Sequence, residues 1–311
     1  MVKKRLILAC KILVFLVVFG MVGRELHKSW DKILTLQLQP DYLMLTLAGI
    51  CYAVAYIPAA IYWRYAMQTL GQKPGVYETF RAYYIGHLGK YVPGKAMVLI
   101  IRSGLLNRER TKLSAAAASI FLETMTMMAV GGFVAASVGA LWFRHHEQVS
   151  EHRTLIMVSI FGFLCFTVLP IIPPVFHFAA KKCRIEIEGL RFRTLAAGWL
   201  LNIPVWIMLG VSLWLTMLGL GFGMKNPSVV TELSFCTLAI SSSVVVGFAS
   251  MLPGGFGSRD LALVYMITLF LATHPIEGLA PEAMAFAIAT VQRLLSIIAE
   301  LVVSALFVVK R

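Results

Sequence analysis

Charge is scarce in this sequence. Only 14% of its 311 residues are Asp, Glu, Lys or Arg, where a soluble chain averages about 25%. Acid is the scarcer sign, with 15 Asp and Glu against 28 Lys and Arg and a formal net charge of +13. No stretch is long and polar enough to form a separate soluble domain, so residues 1–311 read as a single polytopic membrane domain. Cysteine is sparse as well. Cys10, Cys51, Cys165, Cys183 and Cys236 are scattered without a CxxC pair, which argues against a disulfide framework or a thiolate metal site. HExxH, GxSxG and Walker A patterns are missing, so no metal, no cofactor and no recognisable catalytic motif are expected.

Apolar residues fill that space. They make up 59% of the chain, and the mean hydropathy is +0.80. Runs of about 18 or more apolar residues recur along the whole length, each enough to cross a hydrocarbon core of about 30 Å. The cations occupy short loops between these runs and form no contiguous basic face, so nucleic acid is not an expected partner. Lysine and arginine accumulate in cytoplasmic loops, and this rule threads the chain. Lys3, Lys4 and Arg5 lie inside, and residues 6–23 read as an uncleaved first span. Arg108, Arg110, Lys112, Lys181, Lys182, Arg184, Arg191 and Arg193 mark further inner loops, and Lys310 and Arg311 an inner end. A multi-pass protein of the cell (inner, cytoplasmic) membrane with both termini in the cytoplasm follows.

Two segments resist this threading. Residues 82–106 have basic, inward-facing flanks on both sides, and residues 230–272 begin and end outside. Each is interrupted, at Pro93-Gly94 and at Pro253-Gly254-Gly255. Proline removes a helical N–H and glycine permits a reversal, so each segment reads as a re-entrant hairpin. The expected fold is therefore an all-α integral membrane protein with about six transmembrane helices plus two re-entrant broken-helix hairpins. Helix 42–63, the first hairpin and helix 113–143 run opposite in sense to helix 194–221, the second hairpin and helix 283–309. Halves 42–143 and 194–309 would form an inverted repeat, a pattern that places a transporter's substrate site at the repeat interface.

Ionisable side chains inside spans cost roughly 2.5–3.5 kcal/mol each on insertion scales and point to function. Here they are Lys90, Lys95 and Arg102 in the first hairpin, Arg259 and Asp260 in the second, and Glu123, Arg293 and Glu300 on the helices that follow. Cations outnumber anions beside two helix breaks, which favours an anionic guest. The half-helices after the breaks would aim free N–H groups into the same region. Phosphate suits this set, with Arg as a bidentate donor and Lys as a point charge. The expected substrate-binding residues are Lys90, Pro93, Gly94, Lys95, Arg102, Pro253, Gly254, Gly255, Arg259, Asp260 and Arg293, with Glu123 and Glu300 as coupling or ion-pair groups. Structural roles compete with this reading. Lys90 and Lys95 snorkel to the inner face, Arg102 is interfacial, Glu123 pairs with Arg293, Glu300 is a local partner of Arg293, and Arg259 and Asp260 cap their own half-helix. His145, His146 and His152 belong to a solvated outer loop, and Ser114–Ser119 and Ser241–Ser243 to small-residue helix packing.

The segments "GHLGKYVPGKAMVLIIR" and "MLPGGFGSRD", with Arg293 in "ATVQRLL", resemble the lysylphosphatidylglycerol synthase transmembrane-region family of flippase-like proteins, over roughly residues 40–309. The resemblance implies handling of aminoacylated phosphatidylglycerol, polyprenyl-linked or hopanoid-related lipids, and puts Pro93, Gly94, Lys95, Arg102, Pro253, Gly254, Gly255, Arg259 and Arg293 at motif positions. Two departures stand out. Asp260 replaces the usual Glu, and Ala96 and Met97 stand where an acid commonly follows the first Pro-Gly. The soluble aminoacyl-transferase domain of the bifunctional synthases has no counterpart here, so synthesis of lysylphosphatidylglycerol is not expected. Three functions fit: a lipid translocase for an anionic phosphate headgroup, an integral-membrane transferase using a lipid-phosphate donor with Glu123 or Asp260 as base, or a non-transporting partner of a lipid-modifying enzyme or glycosyltransferase.

Overall fold

The computed structural model describes residues 39–92, 96–107, 109–144, 191–222, 228–250, 252–255, 257–273 and 280–309. The expected span 6–23 lies outside these residues, as do Pro93, Gly94, Lys95 and the outer-loop histidines. All regular structure among the described residues is helical.

Helices α1 (Tyr42–Ala55) and α2 (Ile57–Thr69) join through Tyr56 into one apolar span, Tyr42–Thr69. Asp41 starts it, its Oδ1 accepting from the N–H groups of Leu43 and Met44 at 2.9 and 3.2 Å, as an N-cap does. Pro58 sits in the first turn of α2, where its missing N–H costs little. Then come α3 (Val76–His87), the 3₁₀ turn η1 (Leu88–Tyr91), α4 (Ala96–Leu105), α5 (Leu113–Arg144) and α6 (Phe192–Gly219). The chain closes with α7 (Val229–Ala249), the 3₁₀ turn η2 (Pro253–Gly255), α8 (Ser258–Thr273) and α9 (Pro281–Val309). Among the described residues, five stretches are long and apolar enough to cross a membrane: Tyr42–Thr69, Leu113–Trp142, Phe192–Gly219, Val229–Ala249 and Pro281–Val309.

The first broken segment is a hairpin. Helices α3 and α4 have 12 and 10 residues and rise about 18 and 15 Å, about half a hydrocarbon core. Their outer ends meet. The Asn107 amide donates to the Glu78 carboxylate, Lys73 N–H donates to Arg110 O at 3.3 Å, and Lys112 N–H donates to Gln72 Oε1 at 2.8 Å. The chain therefore leaves where it entered. The second broken segment has longer arms, 21 residues in α7 and 16 in α8. At about 31 Å, α7 can cross the full thickness, which the position of the Pro-Gly-Gly break alone did not disclose.

The two halves pack alike. Helix α1 runs antiparallel to α6: Asp41 N–H donates to Gly219 O at 2.8 Å, Ser212 Oγ to Ala48 O at 2.9 Å, and Cys51 Sγ to Met208 O at 3.3 Å. Each packing in one half has its counterpart in the other: α5 on α6 with α9 on α1, α7 on α5 with α3 on α9, α4 on α5 with α8 on α9. Because the two leading helices are antiparallel, the pseudo-two-fold axis lies across the helices. The repeat is inverted.

Candidate functional site

Glycines let the arms of each broken segment close. A Cβ at Gly89 would stand 2.8 Å from Val98 N, so η1 lies directly on the backbone of α4, and a Cβ at Gly86 would collide with the Arg102 side chain. The second segment repeats the device. A Cβ at Gly247 of α7 would stand 2.7 Å from Arg259 Cβ on α8. At η2 the chain reverses through Gly254 (φ +58) and Gly255 (φ +67), a left-handed backbone that favours glycine. The two tips touch. A Cβ on Gly254 would lie 3.1 Å from Cδ1 of Tyr91 in η1. Arg293 of α9 secures the second tip, donating from Nη2 to Gly254 O at 3.1 Å.

A cavity of about 390 Å³ opens beside these tips, and Lys90, Arg102, Glu123, Gly254, Gly255 and Arg259 all line it. Its charges are paired with one exception. Arg102 Nη1 bonds Glu123 Oε2 at 2.7 Å, with the guanidinium 4.0 Å over the Tyr83 ring. Tyr83 O–H donates to the other oxygen of Glu123 at 2.9 Å. Lys90 Nζ reaches Glu300 Oε1 at 2.5 Å, an oxygen that also accepts from Tyr52 O–H at 2.6 Å. Arg293 Nη1 lies 3.8 Å from Asp260 Oδ1. Arg259 is different. It is 8% exposed and lines the cavity, yet no salt bridge to it forms among the described residues. A buried guanidinium without a carboxylate is costly unless a ligand supplies the anion.

The remaining wall is apolar. Val98 and Leu99 of α4 stand on one side, Val244 and Phe248 of α7 on the other, and Phe121, Met125 and Met128 of α5 form the floor. Helix α5 packs against both α4 and α7. Nearby, Ile100, Val246 and Leu252 are exposed. The cavity thus has a polar end at the two tips and apolar walls from α4, α5 and α7.

Several expectations are revised by this geometry. Glu123 pairs with Arg102 and not with Arg293, because the return arm of the first hairpin lays Arg102 against α5. Glu300 takes Lys90 from the other half, not Arg293 on its own helix. Asp260 turns inward on its own helix start, its Oδ2 accepting from Gly257 N–H at 3.3 Å. The first turn of α8 therefore already has a carboxylate, and the anion-seeking group is the Arg259 side chain. Arg293 supports the second tip and is absent from the cavity lining. Pro253 opens η2. His87, Tyr52, Tyr56, Tyr83 and Tyr91 were not foreseen. Their signal lay in the aromatic residues that bracket "GHLGKY", easily read as ordinary core. Ser241 and Ser243 do serve packing. Both are buried, and their hydroxyls return to carbonyls in the preceding turn.

No curated protein matches the chain. The sequence profile of one family, described as "Lysylphosphatidylglycerol synthase TM region", matches residues 6–304 and so takes in both broken segments and Arg293. With nearly its whole length matched, the chain belongs to the lysylphosphatidylglycerol synthase TM region family, and its role lies with membrane lipids.

Proposed function

We propose that the protein is a flippase-like translocase for a lipid with an anionic phosphate headgroup, either a phospholipid or a polyprenyl phosphate. One observation carries this reading: Arg259, buried and without a salt bridge among the described residues, lines a cavity whose other walls are apolar residues of α4, α5 and α7. The phosphate sits on the guanidinium, which offers it two parallel donors. The tail passes between α4 and α7 and stays in the bilayer. The inverted repeat suits alternating exposure of such a site to the two faces, since each half presents the same packing in opposite sense. The ends carrying Lys73, Arg110, Arg191 and Arg193 face the cytoplasm by the positive-inside rule. A transferase is less well supported, because Glu123 is committed to Arg102 and Tyr83, and Asp260 to its helix start.

The test is reconstitution into liposomes holding a trace of a fluorescent anionic phospholipid, with leaflet exchange followed by quencher protection. Wild type should accelerate exchange over protein-free liposomes, and Arg259→Gln should not. Equal exchange by both would overturn the proposal.

A further inference from the structure

At the polar end of the cavity two bases compete for a single acid. Glu300 Oε1 already binds Lys90 Nζ at 2.5 Å and Tyr52 O–H at 2.6 Å, and His87 Nε2 stands 3.6 Å away. That imidazole nitrogen is buried without a hydrogen-bond partner, and so is Glu300 Oε2. A shift of well under an ångström would let an Nε2–H donate to the carboxylate. His87 is held for this by its rings. It packs on Tyr56 at 4.6 Å and stacks on Tyr83 at 6.2 Å between centroids. Both His87 and Lys90 line the cavity, so whichever releases Glu300 alters the charge that a headgroup meets.

We infer that His87 and Lys90 form a proton-operated switch on Glu300: a proton taken up by His87 gives Glu300 a second cationic partner and frees the Lys90 ammonium to join Arg259 at the headgroup. The inference rests on the phosphate reading of the same cavity. The proton enters as H⁺ from water and no covalent bond changes. Burial opposes a charge on His87 most, and the cations Lys90 of η1, Arg102 of α4 and Arg259 of α8 add to it. Glu300 of α9 favours the charge, Tyr52 of α1, Tyr56, Tyr83 of α3 and Tyr91 of η1 are neutral, and Glu123 of α5 is held by Arg102. An anion placed at Arg259 offsets the repulsion, so headgroup binding and proton uptake strengthen each other. Such linkage is reciprocal by thermodynamic necessity.

The test uses the purified full chain in detergent and a short-chain phosphatidylglycerol, a phosphodiester whose own charge is constant from pH 5.5 to 8. Wild type should bind it at least about fivefold tighter at pH 5.5 than at pH 7, the lower range of ordinary couplings, and His87→Gln should bind with no pH slope over that range. In parallel, adding the lipid to wild type in weak buffer at pH 6.5 should draw protons from solution, a readout that needs no variant. A flat wild-type profile, a slope that persists in His87→Gln, or no proton uptake would overturn the switch while Arg259-dependent binding left the site intact. Binding that ignores Arg259→Gln at every pH would remove the phosphate site and the switch together.

Discussion

Tyr91 and Gly254 lie in contact across the two tips, 163 positions apart in sequence, and the cavity lined by Arg259 opens beside them. A methyl at Gly254 would stand 3.1 Å from the Tyr91 ring and 3.4 Å from Arg293 Nη2, on a backbone at φ +58. Gly257 is a natural control. It has φ +79, but nothing lies within 4 Å of its would-be Cβ. Gly254→Ala and Gly257→Ala should each lose roughly 1–3 kcal/mol of stability from left-handed strain. Only Gly254→Ala should also slow lipid exchange beyond its loss of folded protein, because it alone parts the tips. Thermal unfolding beside liposome exchange separates the two.

Arg259 should be dispensable for folding and needed for binding. Its charge is buried without a carboxylate, so Arg259→Gln removes a desolvation penalty, and the melting temperature should hold or rise. Headgroup affinity should fall by roughly 10- to 150-fold, the equivalent of about 1.5–3 kcal/mol for a charged hydrogen bond. Arg259→Lys should land between, keeping the charge and losing the two-pronged geometry. A sharp fall in melting temperature in Arg259→Gln would mean that the guanidinium is structural.

Arg102 and Glu123 should behave in the opposite way. Their 2.7 Å bond is buried, with side chains 4% and 2% exposed. Glu123→Gln strands the Arg102 charge, and breaking a buried pair from one side costs about 3–5 kcal/mol. Replacing both, as Arg102→Met with Glu123→Leu, should recover much of that loss. The stability readout is thermal unfolding in detergent, and the double variant is the decisive comparison.

How far the sequence foretold this arrangement differs by feature. The breaks were legible because Pro and Gly act locally, and the inversion was legible because charge in loops reports sidedness. Pairings were not. Lys90 and Glu300 lie 210 positions apart, and nothing in either neighbourhood names the other. Arg102 was assigned to the cavity for its charge, but its partner depends on where the return arm of a hairpin falls against α5. Arg259 was placed among the phosphate-binding candidates on the same grounds, and the structure puts it in the cavity lining. Its lack of a salt bridge among the described residues, which sets it apart from the other cavity cations, emerges only in three dimensions. The tyrosines and His87 were invisible for a simpler reason: in an apolar chain an aromatic side chain looks like packing until its polar atom is seen against a charge.

Sidedness gives the strictest check on the first hairpin. Helices α3 and α4 are each about half as long as a crossing needs, and Lys73 and Asn107 lie beside each other where the chain enters and leaves. Tyr42, at the start of the span Tyr42–Thr69, is 75% exposed and belongs to the far end, where Asp41 bonds Gly219. In a chain stripped of its five native cysteines, Lys73→Cys and Asn107→Cys should react with an impermeant thiol reagent from the same face, and Tyr42→Cys from the other. With the cytoplasmic assignment above, 73 and 107 label in inside-out vesicles and 42 in intact cells. If 107 labelled with 42, the segment would cross the membrane outright, the tips would have no reason to meet, and the cavity at Arg259 would lose one of its two walls.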